Sequence, residues 1–141
     1  MYNVDKATLD EFLEACEGSI EETRSLKECY DGYEFDKLTY DGKPLVVVGW
    51  HPIMDLRTDQ EEIYMACAIA KEAVKHKRAL CIAGKDFSDF MAKQAPLCVI
   101  CEEGNRVFRK FVEHFGFEKT NFVEKNPESG IIYNVYIRRQ I

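Results

Sequence analysis

The clearest periodic pattern in the chain lies between residues 102 and 119, in the segment EEGNRVFRKFVEHFGFEK. Its apolar side chains recur at spacings of one, three and four residues, which is typical of a helix with a single buried face. These apolar positions are Val107, Phe108, Phe111, Val112 and Phe115. Gly116 stands where such a helix would end in a left-handed residue, and Phe117 can then begin a strand. The pattern predicts an amphipathic helix that ends at a Gly-Phe pair.

Weaker patterns predict two short helices near the N-terminal end of the chain. Apolar spacing within residues 7–16 predicts a first helix that ends at Gly18. Ser19, with Glu22 three positions later, resembles a capping box, which would open a second helix that runs to about Cys29.

Strand patterns follow on both sides of a turn signal. Residues 33–40 and 45–49 flank an Asp-Gly pair, which is a strong short-range signal for a β-hairpin. The second of these strands belongs to the apolar run LVVVGW and is predicted to be central in its sheet. Residues 62–70 form another apolar run, but its alanines are compatible with either a strand or a helix.

The rest of the chain alternates between helix and strand. A long helical region is predicted to about Ala95, where Pro96 ends it. The run LCVIC is short and apolar, which is typical of a buried strand. Two strands, within FEKTNFVE and IIYNVYIR, close the chain around a turn at NPESG. The order of elements predicts an α/β fold with a right-handed strand–helix–strand unit within residues 62–101.

Size and charge narrow the classes of function. The chain has 141 residues, 46% of them hydrophobic, which predicts one globular domain over residues 1–141. Its net charge of −6 argues against a nucleic-acid partner, although residues 71–78 are locally basic. No segment is long enough to cross a bilayer, and the N-terminal residues lack an apolar signal core. The expected location is therefore the cytoplasm, with no membrane partner.

The six cysteines are expected to be reduced thiols, because no secretory signal accompanies them. Cys98 and Cys101 form a lone C-x-x-C within the run LCVIC. A structural zinc site needs four ligands, and two side chains three apart on a strand point to opposite faces. No metal is therefore expected, and buried cysteines that act as small apolar residues explain the pattern better.

The order of elements, together with the segment GNRVFRKFVEHFGF, resembles the GNAT superfamily of acetyl-CoA-dependent N-acetyltransferases. In that family a helix with the pattern N-x-x-A-x-x-L-Y-x-x-x-G-F follows the fifth strand. Asn105, Phe111, Gly116 and Phe117 hold the matching positions at the same spacing. The resemblance runs from the Asp-Gly hairpin to the terminal strands. It implies a mixed, largely antiparallel central sheet flanked by helices, with one parallel strand–helix–strand unit.

The family's second signature, (R/Q)-x-x-G-x-(G/A), places backbone N–H groups around the coenzyme A pyrophosphate at the start of a helix. Its best match here is RALCIA, in which Cys81 replaces the first glycine and Gly84 follows the motif. The resemblance implies acetyl-CoA as the cofactor, with these binding residues: Arg78, Cys81, Ile82, Ala83, Gly84 and Asn105. The same residues also fit a plain helix capped by Gly84, with Arg78 as a surface charge, and the sequence leaves both interpretations open.

Catalytic residues are less well defined by the sequence. Many GNAT enzymes carry a Tyr seven residues after the Asn as general acid, and here that position is Val112, which cannot transfer a proton. Glu61 and Glu62 are candidates for a general base near the fourth strand, but they also fit the solvated end of a strand. The three histidines are expected to be surface residues: His51, His76 and His114.

These departures are closest in pattern to small GNAT-like proteins that short-tailed phages encode, which are linked to the virion interior or its assembly. That resemblance implies a phage-encoded protein of the GNAT fold with a degenerate acetyl-CoA site. Its function would be virion assembly or binding, its partners virion or host proteins, and its location the host cytoplasm or the virion.

Two alternatives belong to other classes of function. The first is an active acyl-CoA-dependent N-acetyltransferase, which predicts an open V-shaped cleft between the strands that end near Ala70 and Cys101. The second is a protein-interaction module without a ligand, which predicts an exposed apolar patch around residues 50–54.

Overall fold

The computed structural model describes residues 1–17, 30–55 and 59–141. The second predicted helix, within residues 19–29, lies outside the described residues. The described chain divides into two compact units, which are Met1–His51 with Met65–Leu80, and Pro52–Tyr64 with Cys81–Ile141. The single domain expected over residues 1–141 stays a prediction.

The described residues contain seven strands that belong to one sheet. They are β1 (Tyr2–Ala7), β2 (Glu34–Tyr40), β3 (Lys43–Asp55), β4 (Gln60–Ile69), β5 (Leu97–Glu102), β6 (Glu118–Lys125) and β7 (Ile132–Arg138). The strand order is β1-β2-β3-β4-β5-β7-β6, and β4 and β5 form the parallel pair in a mostly antiparallel sheet. The predicted mixed α/β fold is confirmed, and residues 62–70 are resolved as strand rather than helix.

Helices account for the remaining regular structure of the described chain. They are α1 (Leu9–Glu17), a 3₁₀ helix (Lys71–His76), α2 (Lys77–Ala92) and α3 (Arg106–His114). The 3₁₀ helix continues directly into α2, and together they connect β4 to β5. None of the helices in residues 1–17, 30–55 and 59–141 has the length and apolar character that a membrane span requires.

The N-terminal end contains one element that the sequence pattern did not predict. Strand β1 was missed because all but the last of its side chains are exposed, so it shows no alternation of apolar and polar positions. Helix α1 begins at Leu9 because Thr8 and Glu11 form a capping box. The Thr8 N–H donates to Glu11 Oε1 and the Glu11 N–H donates to Thr8 Oγ1, both at 3.2 Å. The first predicted helix is confirmed in type, but Ala7 belongs to the strand.

The predicted hairpin is confirmed, with a two-residue turn at Asp41 and Gly42. Both residues have positive φ, 49° and 81°, as a tight hairpin turn requires. Tyr40 pairs with Lys43 across the turn. The turn therefore fixes the register of β2 on β3.

In the first unit, the core forms around an aromatic cluster beneath β2. Phe12 of α1 is fully buried, and its ring centroid lies 4.8 Å from Tyr30 and 5.1 Å from Phe35. Gly49 of β3 has no side chain because a Cβ there would lie 2.6 Å from the Phe35 ring. Close approach of that ring to the backbone thus explains the glycine in LVVVGW.

In the second unit, β5 and α3 both contribute buried side chains to the core. Leu97, Val99 and Cys101 on β5 are each 3% exposed or less, which confirms LCVIC as a buried strand. Three side chains of the predicted apolar stripe on α3 cover this core, namely Phe108, Phe111 and Val112. After α3, Gly116 adopts a φ of 92°, which confirms the predicted left-handed helix end.

Candidate functional site

Residues 78–84, which resembled a pyrophosphate loop, lie inside helix α2. The helix runs from Lys77 to Ala92, so the plain-helix interpretation is the one that the structure supports, although the helix continues past Gly84. In an α-helix each N–H from the fifth residue onward donates to the carbonyl four residues earlier. The N–H groups of residues 81–84 are therefore used within α2, and they are not arranged as a cradle for a phosphate.

Gly84 has a packing role in the second unit. A Cβ at this position would lie 2.4 Å from Cζ of Phe115, the residue that caps the C-terminal end of α3. The Phe115 ring thus sits directly on the α2 backbone. Contact between the two helices, rather than contact with a cofactor, accounts for the glycine.

The side chains around Gly84 differ in exposure. Cys81 and Ala83 are half-buried, Ile82 is 57% exposed, and Arg78 is exposed. Further along α2, Arg138 of β7 pairs with Asp89 and donates to Ser88 Oγ at 2.9 Å. The hydrogen bond from Arg138 holds the pKa of Asp89 below its usual value. This middle part of α2 is therefore a packing surface.

The beginning of the helical segment lies earlier, at Ala70. The Ala70 N–H donates to the Leu45 carbonyl at 2.9 Å, which fixes this position beside β3. The Ala70 carbonyl accepts the first helical bond, from the Ala73 N–H at 3.0 Å. Ala70 has an extended conformation and makes no side-chain cap. The N–H groups of Lys71 and Glu72 therefore precede the first helical bond without a side-chain acceptor from the cap residue.

Four cationic side chains follow along the segment from this uncapped start: Lys71 at its first position, Lys75 in the last turn of the 3₁₀ helix, and Lys77 and Arg78 at the beginning of α2, with the acidic Glu72 in the first turn. All four are exposed, and none forms an ion pair with another residue in the described ranges. Uncapped N–H groups and the positive end of the helix dipole attract anions, and adjacent cations add to that attraction. We call residues 70–78 the basic helix start. It has the character that the motif resemblance predicts for residues 78–84.

His76 anchors the basic helix start to the N-terminal strands of the first unit. Its Nδ1 lies 2.7 Å from the Tyr2 hydroxyl, and its ring centroid lies 4.6 Å from that of Tyr40. These contacts give His76 a structural role. Of the other two histidines, His51 stacks on Tyr33 with a centroid distance of 5.1 Å, and His114 is exposed at the end of α3.

Asn105 acts as the N-cap of α3 in the second unit. Its Oδ1 accepts a hydrogen bond from the Phe108 N–H at 3.0 Å, and its carbonyl accepts from the Arg109 N–H at 3.1 Å. The Asn105 N–H donates to the Glu102 carbonyl at 3.0 Å, which forms the tight turn after β5. Capping therefore explains the Asn of the GNAT-like pattern without a ligand.

The position that would hold a catalytic tyrosine carries a valine, which has no proton to transfer. Val112 is 5% exposed and belongs to the buried face of α3, as the sequence predicted. Tyr136 of β7 is 2% exposed. Burial raises the pKa of Tyr136, and electrostatic interaction with Cys101 and Glu113 outweighs the opposing effect of Arg109.

Glu61 and Glu62 differ clearly in solvent exposure. Glu61 is exposed, whereas Glu62 is 6% exposed within β4. The adjacent Ile63 N–H donates to the Pro96 carbonyl at 2.8 Å, which ties this part of β4 to the segment before β5. A buried carboxylate is a better candidate base than a solvated one. This difference is not visible in the sequence, because QEE at the start of a strand resembles a solvated end.

The other predicted features occupy separate places. On β5, Cys98 pairs with Ile137 of β7, and Cys101 pairs with Asn134. The two cysteines are three residues apart on one strand, so their side chains lie on opposite faces of the sheet. Within the ranges that the structure describes, no group of three or more metal-ligating side chains occurs.

Residues 50–54, where an apolar patch was expected, are mixed in exposure. Trp50 is half-buried and donates its indole N–H to Asp36 Oδ2 at 3.3 Å. Met54 is 54% exposed.

A cavity of about 460 Å³ lies in the first unit, away from the basic helix start. Its walls come from residues 6–9 and 30–35. Glu34 pairs with Trp50, whereas Leu45, near the other end of β3, accepts from Ala70. The cavity and the basic helix start are therefore at opposite ends of these strands.

Comparison with known proteins places the fold. By sequence the chain matches no protein-family model and no curated protein. It superposes on the ribosomal-protein-S18-alanine N-acetyltransferase from Escherichia coli with a TM-score of 0.73 and 12% identity, over 99% of this chain and 94% of that one. An acetyltransferase of the GNAT family from Streptococcus pneumoniae gives a TM-score of 0.64 and 10% identity, over 98% of each chain.

A further solved structure, an N-acetyltransferase from Staphylococcus aureus Mu50, superposes with a TM-score of 0.62 and 8% identity, over 100% of this chain and 99% of that one. At such identities the comparisons establish the fold alone. The described residues therefore have the fold of the GNAT acetyltransferases.

Proposed function

We propose that this protein binds acetyl-CoA and transfers the acetyl group to an amine. The observation that carries the proposal is the basic helix start. At the end of β4, in a GNAT fold, an uncapped helix beginning belongs to a segment, residues 70–78, with four exposed cations that have no ion-pair partner in the described ranges. This combination suits a polyanionic cofactor such as coenzyme A.

The binding residues differ from those that the sequence motif implied. Lys71, Lys75 and Arg78 would supply charge to the phosphates, and the N–H groups of Lys71 and Glu72 would supply hydrogen bonds. Arg78 thus stays in the proposed site. Cys81, Ala83 and Gly84 would contribute through packing, the exposed Ile82 has no assigned role, and Asn105 would contribute by holding the start of α3.

Bound acetyl-CoA supplies a thioester carbonyl, which an amine can attack once its proton is removed. Glu62 is the proposed base, because it is a buried carboxylate on β4. Val112 has no proton to give, so the departing sulfur would be protonated by water. Positioning of the two reactants would supply much of the rate.

A second candidate function is supported by Val112. A GNAT-fold protein of a short-tailed phage, acting in virion assembly or as a binding protein, needs no general acid at this position. Its partners would be virion or host proteins, and the basic helix start would then be a remnant of the cofactor site or a surface for an acidic partner.

Calorimetric titration with acetyl-CoA tests the proposal. We expect micromolar binding by the wild-type chain and at least about tenfold weaker binding by a Lys71→Ala/Lys75→Ala double variant, because each lost phosphate contact costs about 1 kcal/mol. A Lys93→Ala/Lys110→Ala double variant is the matched control, since it removes the same charge from exposed positions on other segments. Absence of binding at millimolar acetyl-CoA would overturn the proposal and favour the second candidate.

A further inference from the structure

Strand β1 is an edge strand of the described sheet, and Asp5 and Lys6 are its charged residues. It lies at one end of the sheet order, and its register with β2 is regular along its whole length. Its residues 2–6 are exposed on both faces, and Val4 is 66% exposed. It contains no proline. A regular, exposed edge strand is a template for pairing with another strand.

The direction of the free backbone groups follows from one hydrogen bond. The Asp41 N–H donates to the Met1 carbonyl at 3.1 Å, so Met1 directs its polar backbone toward β2. Backbone groups alternate in direction along an antiparallel strand. Tyr2, Val4 and Lys6 therefore direct their N–H and C=O groups away from β2, toward the outer edge.

We propose that two copies of the chain pair through β1, antiparallel and centred on Val4. A two-fold axis through the centre of such a pair places residues at equal distances from Val4 opposite each other. Tyr2 of one copy then faces Lys6 of the other, and Asn3 faces Asp5. All the outward N–H and C=O groups of Tyr2, Val4 and Lys6 find partners in this register.

Charges on β1 and β2 favour this register. Lys6 lies 3.2 Å from Asp36 of its own chain, and in the pair it also faces a tyrosine ring. Asp5 is opposite Lys37 of its own chain, and it faces an asparagine of the other copy. Pairing centred on Asp5 or on Lys6 would place two like charges directly opposite each other, which is destabilising.

The edge strand at the other end of the sheet order, β6, lacks this self-complementarity. Its register with β7 shifts between Lys119 and Val123, so the strand is bulged. Its charges are segregated by face: Lys119 and Lys125 pair with Tyr136 and Ile132, and Glu118 and Glu124 pair with Ile137 and Tyr133. A two-fold pair keeps each face on its own side. Centred on residue 122 it would place Lys119 opposite Lys125, and centred on residue 121 it would place Glu118 opposite Glu124.

Sedimentation of charge-swapped variants tests the β1 pair. We expect the wild-type chain to dimerise reversibly in the micromolar range. Val4→Lys and Val4→Asp should each be monomeric, because like charges would meet at the two-fold axis, and an equimolar mixture of the two should recover dimers. Circular dichroism of each variant checks that it is folded. Val123→Lys is the matched control, since it changes an equally exposed valine on β6.

Three results would overturn the proposal. They are a monomeric wild-type chain up to the highest soluble concentration, a mixture of the folded Val4 variants that stays monomeric, and loss of the dimer in Val123→Lys but not in Val4→Lys. Acetyl-CoA binding is measured on the same proteins. It does not depend on the pair, so the two proposals fail separately.

Discussion

The two places where a helix follows a strand of the parallel pair begin in opposite ways. At the start of α3, the side chain of Asn105 accepts the Phe108 N–H, and the turn is closed by hydrogen bonds. At the basic helix start, Ala70 has no side-chain oxygen, and exposed lysines follow at positions 71, 75 and 77. The start of α3 is therefore a capped helix end with a structural role. The basic helix start leaves donors and positive charge for an anion, which is why we assign the cofactor phosphates to it.

The largest expected effect is on kcat, and it distinguishes the chemical step from cofactor binding at the basic helix start. Glu62→Gln removes the proposed base, so we expect kcat for amine acetylation to fall by about 100-fold or more with little change in acetyl-CoA affinity. Steady-state kinetics with calorimetry measures both. Glu61→Gln, at the exposed neighbouring position, should have wild-type activity. Equal losses in the two variants would remove Glu62 from the role of base.

The next effect concerns the middle of α2, which resembled a cofactor loop in sequence. Gly84→Ala forces a Cβ against the Phe115 ring, and we expect it to lower the free energy of unfolding by about 2 kcal/mol. Acetyl-CoA affinity should be unchanged. Chemical denaturation measures the loss, and Gly104→Ala is the control, because its Cβ would meet no atom within 4 Å. A folded, stable Gly84→Ala that loses affinity would return this residue to the cofactor site.

Adding an N-cap to the basic helix start tests the difference between the two helix starts more directly. Ala70→Asp would supply a capping oxygen together with a negative charge. We expect acetyl-CoA to bind about tenfold more weakly, while the free energy of unfolding stays equal or rises. Ala70→Asn provides the same cap without the charge and should weaken binding less. Unchanged affinity in Ala70→Asp would place the phosphates elsewhere.

The smallest expected effect opens the closed helix start. Asn105→Ala removes the N-cap of α3 and should lower the free energy of unfolding by about 1 kcal/mol. Asn105→Ser keeps a capping oxygen and should recover most of that loss. Acetyl-CoA affinity should stay within about twofold of wild type in both variants, as expected for a purely structural cap. A loss of affinity in Asn105→Ser without a loss of stability would show that the asparagine contacts the cofactor.

Strong local signals made much of the fold predictable from the sequence. The Asp-Gly turn demands positive φ, the α3 stripe has one buried face, and Gly116 ends it in the left-handed region. Strand β1 was not predictable in this way, because an edge strand exposed on both faces needs no apolar alternation. Its pairing is specified by β2, which only the folded chain brings beside it.

The site was less predictable than the fold, for a physical reason. Similarity to a motif favoured residues 78–84, yet the feature that matters at a helix start is the absence of a cap, and alanine gives no signal for an absence. The burial of Glu62 was also hidden, because exposure depends on neighbouring strands rather than on the run QEE. Local sequence patterns specified the helices and strands, whereas tertiary contacts determined which of their residues are candidates for the functional site.

The contact between Gly84 and Phe115 has a consequence for how this sequence can change over time. With 2.4 Å between a Cβ at position 84 and the ring, the two positions compete for the same volume. A larger residue at position 84 is tolerated only when position 115 becomes smaller, so the two substitutions must occur together or in a permitted order. Related chains should therefore show paired replacement at these positions, and a glycine retained there records a neighbour's size rather than a catalytic need.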